Sequence, residues 1–308
     1  MTTHHGEPTT RTGSLWTATT DLPVCAPLSE DLRVDVCIVG AGIAGLEAAW
    51  VAAARGHRVT VLGSSAEVGG KTRLHALLPG GESLSSIYDY QHVAAGREGV
   101  AFELGLTASA ADVLALNPDA VVLATGSSML PPDWLPTELR EAGMVPDLRA
   151  AMAELLRFKV RQPGTAVIYD MDHTEGTYAA AELLRALFER VAIVTPRDTI
   201  ATFTSLVTRQ GILRRINEMR VRTVALAEPR LDEGFEQGRL ACVNVYNGDV
   251  AYIEDVAFLA WSTPRAPNDA LYAPLRAAGI EVQRVGDCKC ARDVLSATAE
   301  GYAAGSTM

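Results

Sequence analysis

The stretch Val34-Asp-Val-Cys-Ile-Val-Gly40-Ala-Gly42-Ile-Ala-Gly45-Leu46 decides the fold. Val34 to Val39 is short, β-branched and ended by glycine, the pattern of a strand buried on both faces of a parallel sheet. An alanine-rich helix follows over 46–55, closed by Gly56, and a second strand is expected over 57–62. Strand, helix and strand within about 30 residues make a βαβ unit with a right-handed crossover. The glycines between them form Gly-x-Gly-x-x-Gly directly after a strand and at the opening of a helix, the context that makes this pattern informative. Gly40 permits the tight turn, Gly42 lets backbone approach a pyrophosphate, and Gly45 allows close helix–strand packing. With Ile43 and Ala44 they place free N–H groups and a partial positive charge beneath the phosphates of a nucleotide.

One element of that site is missing. A ribose-binding acid belongs at the end of the second strand, roughly 20 residues on. In Val-Thr-Val-Leu-Gly63-Ser64-Ser65 the place holds Gly63, so Ser64 or Ser65 supplies at most a hydroxyl. No arginine is evident in reach, and the loss of the acid does not by itself imply NADP. Glu67-Val-Gly69-Gly70-Lys71 reads either as close passage of the chain over a ligand or as an ordinary glycine turn.

Working outward, 64–98 is glycine- and serine-rich and is expected to be mostly irregular. A strand over 99–104, a helix over 108–116 and a buried strand over 120–124 follow. The prolines at 131, 132, 136 and 146 mark 127–146 as a linker or domain crossing. A second βαβ unit then begins: helix 147–158, strand 166–169, helix 178–190, strand 191–194. Helix 209–219 and strands at 222–226, 240–246 and 251–259 come next, and a strand at 282–285 with a helix at 293–304 returns to the first pattern. The arm 1–30 has no periodicity and reads equally as a segment that wraps a neighbour or as a mobile tail.

The 308 residues make two domains the prior. With 27 Lys and Arg against 37 Asp and Glu, the net charge of −10 argues against nucleic acid as a partner. No apolar run reaches the roughly 18 residues of a membrane helix. Five scattered cysteines without a Cys-x-x-Cys pair give neither a disulfide framework nor a metal or iron–sulfur site, so a reducing cytoplasm is expected. Cys288-Lys-Cys290, read as extended chain, points its two thiols to opposite faces. Cys242 lies in a segment read as a strand. His57, His75 and His92 have no nucleophile at a meaningful spacing.

Four motifs, Val39 to Ala49, Ala66-Glu-Val-Gly-Gly70, Asn117-Pro-Asp-Ala-Val-Val-Leu-Ala-Thr-Gly-Ser127 and Gly286-Asp-Cys-Lys-Cys-Ala-Arg-Asp-Val-Leu295, resemble in order and spacing the C-terminal half of the trimethylamine dehydrogenase and 2,4-dienoyl-CoA reductase family, over about residues 33–308. The resemblance implies an α/β protein of two Rossmann-like lobes of glutathione-reductase type, the second inserted in the first. The first, FAD- or ADP-binding lobe would span 31–130 plus 275–308, and the NAD(P)-type lobe 131–274. Ala124-Thr125-Gly126 would be the strand-end crossing beside the cofactor. Gly286 and Asp287 would approach the ribityl and phosphate region, Asp287 accepting from a ribityl hydroxyl or else capping a helix. Full-length members carry an old yellow enzyme-like barrel with FMN and a four-cysteine cluster. The resemblance therefore implies a partner chain holding those groups, with this chain as a flavoprotein subunit in electron transfer or assembly. A stand-alone FAD oxidoreductase and a non-catalytic scaffold with a structural nucleotide are the alternatives.

The second lobe needs its own glycine motif after strand 166–169 to bind NAD(P)H. It has Tyr169-Asp170-Met-Asp172-His173-Thr-Glu175-Gly176, which sets three carboxylates where a pyrophosphate would sit, and like charges there repel by several kcal/mol. No NAD(P) is expected in this lobe. The Asp-x-Asp-His group reads as a solvated acidic turn, with a metal site as the minor alternative.

Overall fold

The computed structural model describes residues 34–308, so the reading of the arm 1–30 lies outside the described residues. Strand β1 (Val36–Val39) is buried along its whole length. It pairs in parallel with β2 (Val59–Gly63) on one side and β4 (Ala120–Leu123) on the other. With β3 (Ala101–Leu104) and β14 (Glu281–Arg284) they form a parallel five-stranded sheet in the order β14-β4-β1-β2-β3. Val39 lies opposite both Leu62 and Leu123, so these strands end flush. The order reverses between β1 and β4, and such a switch point is where an open α/β sheet leaves a crevice at its carboxyl edge.

The helix Ile43–Ala54 starts three residues before the expected position, because Gly42 in extended conformation already caps it. It is sandwiched against the C-terminal helix Val294–Thr307. A Cβ on Gly301 would stand 2.4 Å from the Ala44 carbonyl oxygen, and one on Gly305 2.6 Å from that of Ala48. Only glycine permits so close an approach, and the approach fixes the helix whose N-terminus faces the crevice.

The expectation that 64–98 is irregular is corrected. The chain is helical over Gly70–Ala76 and again over Ser85–Arg97. The second helix is polar in sequence, which hid it, but it buries Tyr88, Gln91, Val93 and Ala95. Gln91 Nε2 donates to Glu47 at 2.7 Å, a buried polar pair that ties it to the first helix. Desolvation pushes Glu47 above the ordinary glutamate value, and the Gln91 bond opposes that.

Strand β5 (Ser127–Met129) leads out of the first sheet and β13 (Arg265–Pro267) leads back, paired antiparallel as a two-stranded ribbon. Between them a parallel sheet of β6 (Gln162–Asp170), β7 (Phe188–Val194), β8 (Arg222–Val224) and β12 (Val256–Ser262) runs in the order β12-β6-β7-β8. An antiparallel sheet of β9 (Ala227–Arg230), β10 (Leu240–Asn244) and β11 (Val250–Ile253) flanks it. The fold is thus α/β, with two Rossmann-like parallel sheets and the second intercalated in the sequence of the first. The single strand expected over 251–259 is two, β11 and β12. They break at Glu254-Asp255, where Asp255 takes a left-handed φ of 54°. The helices Thr137–Glu141 and Tyr272–Ala277 were not anticipated, because each is shorter than two turns. No helix among the described residues is long and apolar enough to cross a membrane.

Candidate functional site

A cavity of about 550 Å³ opens at the carboxyl edge of the first sheet. The glycine loop forms its floor, and its three glycines play separable parts. Gly40 has φ +117°, and a Cβ there would stand 2.2 Å from the Ala124 carbonyl oxygen. A Cβ on Gly45 would fall 1.9 Å from the Gly40 carbonyl oxygen. Both are packing glycines. Gly42 differs: its φ of −82° suits any residue, and a Cβ would meet nothing within 4 Å. That empty volume lies over a helix N-terminus, where the first backbone N–H groups lack intrahelical partners. The cradle that a Cβ would fill is the observation expected of a site for a diphosphate.

Of the residues singled out in the sequence, Gly40, Gly42, Ile43 and Ala44 line the cavity, and so do Ser64, Ser65, Gly70 and Lys71. Ala124, Thr125, Gly126, Gly286 and Asp287 line it as well. Gly45 is not among the lining residues, because it is spent on packing the helix against the loop. Gly69 N–H donates to the Ala41 carbonyl at 2.8 Å, and a Cβ on Gly70 would stand 3.2 Å from Gly42 Cα. The second glycine pair is therefore folded directly onto the first loop. At the expected ribose acid, a Cβ on Gly63 would come 2.8 Å from Leu104 Cδ2, so the packing leaves no room for a larger residue without displacing Leu104.

The opposite end of the cavity is charged. Asp287 Oδ2 accepts from Lys71 Nζ, from Ser127 Oγ at 2.7 Å and from Arg265 Nη1 at 2.9 Å. Its Oδ1 accepts from the Arg292 N–H at 3.3 Å. Burial pushes the Asp287 carboxyl up, but Lys71, Ser127 and Arg265 outweigh it and hold the group below the ordinary aspartate value. Burial and the neighbouring Arg265 pull Lys71 down, with Asp287 opposing. Asp287 caps no helix; Asp293 does, accepting from Ser296 N–H at 2.7 Å. Asp293, Val294 and Ala297 bring the start of the C-terminal helix to the cavity wall.

Sequence reasoning missed Arg149, which reaches the cavity from the helix Leu148–Leu155 and donates to the Ser127 carbonyl at 3.1 Å. One signal was available: a cation in a helix's first turn opposes the helix dipole. Desolvation and then Arg265 lower its pKa. It stands at the charged end, not beside Ser64 and Ser65.

In the second lobe, the reading of three carboxylates at a pyrophosphate position is corrected. Asp170 is wholly buried and turned inward, accepting from Tyr178 Oη at 2.6 Å and from His173 N–H at 2.9 Å. Desolvation raises its pKa, with His173 and Tyr178 opposing. Asp172 is buried against Arg265, and Glu175 alone of the three is exposed. Cys288-Lys-Cys290 is likewise not extended: residues Gly286–Cys288 form a 3-10 turn, Cys288 is buried and Cys290 exposed.

Comparison with known proteins agrees with the Rossmann-like fold. Residues 38–107 match the model of an NAD(P)-binding Rossmann-like domain. The chain is 36% identical over 171 residues to a probable N-methylproline demethylase of Rhizobium meliloti, a match covering 55% of this chain and 24% of that one. It is 33% identical over 170 residues to an N,N-dimethylglycine/sarcosine dehydrogenase of Chromohalobacter salexigens, covering 54% and 24%. The histamine dehydrogenase structure from Rhizobium sp. 4-9 shares the fold with a TM-score of 0.76 at 24% identity, covering 91% of this chain and 44% of that one. The chain thus spans about a quarter to under half of the length of these three proteins. In sequence the chain is similar to part of these members of the trimethylamine dehydrogenase and 2,4-dienoyl-CoA reductase family.

Proposed function

We propose that the first lobe, with boundaries near 131 and 275, binds FAD or ADP, and that the chain is the nucleotide-binding subunit of a hetero-oligomeric flavoprotein oxidoreductase acting in electron transfer or assembly. The single observation that carries the reading is the open volume over Gly42 at a helix N-terminus, on the switch point of a parallel sheet. Gly42 and Ile43 N–H groups hold the diphosphate, Ser64 and Ser65 meet the ribose, and Lys71 and Arg149 offset negative charge at the far end. A bound flavin would supply the electron-accepting chemistry. This chain's residues bind and orient it, and no catalytic residue of the chain itself is proposed.

One observation favours ADP, or a purely structural nucleotide, as the second reading. Asp287 already receives four donors, so a ribityl hydroxyl would have to compete with them. No NAD(P)H is proposed for the second lobe, where Asp172 and Glu175 border the loop and only Gly176 remains of a glycine motif.

The partner proposed is an old yellow enzyme-like barrel subunit carrying FMN and a four-cysteine cluster, with an amine dehydrogenase or N-demethylase type of activity, in the cytoplasm. The test is affinity purification of the chain from its own cells, followed by identification of what accompanies it. A stoichiometric barrel protein with such a cluster supports the subunit reading. Substrate turnover by the lone chain overturns it in favour of a self-sufficient oxidoreductase. Bleaching of a bound flavin by NADH in the isolated chain overturns the statement about the second lobe.

A further inference from the structure

Asp172 and Arg265 stand behind the cavity wall, and the proposed binding does not use them. Arg265 projects from β13, the returning strand of the ribbon between the lobes. Its Nε lies 3.3 Å from Asp172 Oδ1, just past the end of β6 in the second lobe. Its Nη1 lies 2.9 Å from Asp287 Oδ2 in the first lobe. The three side chains are only 8%, 9% and 9% exposed. Thr174 Oγ1 donates to the other oxygen of Asp172 at 2.5 Å and holds that carboxylate in place. One guanidinium is thus shared by two buried acids from opposite lobes, and the second of them lines the cavity.

Low local dielectric makes such charges felt at the ligand. These five groups, three cations (Lys71, Arg149, Arg265) and two anions (Asp172, Asp287), sum to one net positive charge, with Asp147 beside Arg149 and Asp293 on the cavity wall as a constant background. Without Asp172 there would be two, and without Arg265 none.

We propose that Asp172 and Arg265 are specificity-determining residues for the first lobe's ligand: the second lobe uses Asp172 to cancel the Arg265 charge, and so sets how strongly the cavity attracts a nucleoside diphosphate. The second lobe then acts on the nucleotide site electrostatically, across the ribbon, without a nucleotide of its own. The proposal rests on the reading that an adenine diphosphate occupies the first lobe.

The test is calorimetric titration of ADP into the full chain at about 0.1 M salt. Taking a separation of roughly 10 Å and an effective dielectric of about 20, one buried unit charge shifts the affinity for a phosphate by roughly tenfold or somewhat more. Asp172→Asn therefore tightens ADP roughly tenfold and Arg265→Gln weakens it by a similar factor. The double variant, whose net charge equals that of the wild type, returns to within about threefold of it. A merely structural bridge gives a different pattern, with both single variants weaker and the double no better. That pattern, or no change in either single variant, overturns the proposal.

A second readout needs no ligand, so it separates this proposal from the binding reading. The groups facing Asp287 are Lys71, Ser127, Arg265 and the Arg292 N–H, with Arg149 on the same wall. In a ¹³C-carboxyl titration of the free chain, Arg265→Gln raises the Asp287 midpoint, and adding Asp172→Asn lowers it again. A midpoint indifferent to Arg265 overturns the proposal even if ADP binds. A wild-type chain that ignores ADP but shows these shifts overturns the binding reading and with it the role in attracting ADP, and leaves only the coupling of Asp172 to Asp287 through Arg265.

Discussion

Gly42→Ala separates folding from binding more sharply than any other single change. At Gly42 the backbone is extended, with φ −82° and ψ −177°, and an added Cβ meets no atom within 4 Å. Replacing glycine by alanine where the conformation permits it stabilises a protein by about 0.4–1 kcal/mol through the unfolded chain, but Gly42 is the N-cap of its helix, where alanine is the poorer cap by about the same amount. The two effects nearly cancel, so in a protein of this size Tm stays within about 2 °C of the wild type. The same Cβ occupies the volume in which a diphosphate must approach the loop. A phosphate oxygen pushed off the loop loses at least one charge-assisted hydrogen bond, worth about 1.5–3 kcal/mol. The affinity for ADP or FAD therefore falls by roughly 10- to 150-fold. The assay is paired: thermal melting and calorimetric titration of one preparation. Unaltered nucleotide affinity with a normal Tm would refute the reasoning, since the phosphates would then lie elsewhere. A fall in Tm of more than about 5 °C, beyond what a weakened cap costs, would refute the assignment of Gly42 as a ligand-facing glycine.

Gly45→Ala reverses that pattern: its Cβ would fall 1.9 Å from a backbone oxygen, so it lowers stability by about 1–3 kcal/mol or more, read as a lower denaturation midpoint. The pH dependence of ADP binding follows Lys71. Its pKa is lowered from 10.5, so affinity is full while the amine is protonated and falls as the pH rises through that lowered value; Lys71→Met abolishes this alkaline limb of the titration. Thiol labelling distinguishes the cysteines. Cys290 is exposed and reacts quickly, whereas burial pushes Cys37 up to about 12 and Cys242 up to about 11, and both stay inert until the chain unfolds. Cys290→Ser removes one fast-reacting thiol.

The first lobe was legible because its signals are local. A run such as Val36–Val39, buried on both faces, needs apolar residues at every position, and a glycine loop between strand and helix has one common structural meaning. The helix Ser85–Arg97 was not legible, since its burial depends on distant partners: Gln91 meets Glu47, and Tyr88 lies against Gly69. The cavity floor could be read for the same local reason, while its charged end could not. Arg149 and Arg265 arrive from beyond the linker, one on a helix and one on a returning strand, and no spacing rule links them to Asp287. Asp170 failed in the opposite way. Its place at a strand end suggested exposure, but Tyr178, eight residues on in the following helix, supplied a buried donor and drew it inward.

The most direct measurement is the adenine content of the chain as purified. The protein is denatured, and the released small molecules are separated and quantified alongside the absorbance near 450 nm. The expected result is close to one adenine diphosphate per chain, as FAD with a yellow colour or as ADP without one. A colourless chain that releases no adenine and takes up neither ADP nor FAD when titrated would contradict it.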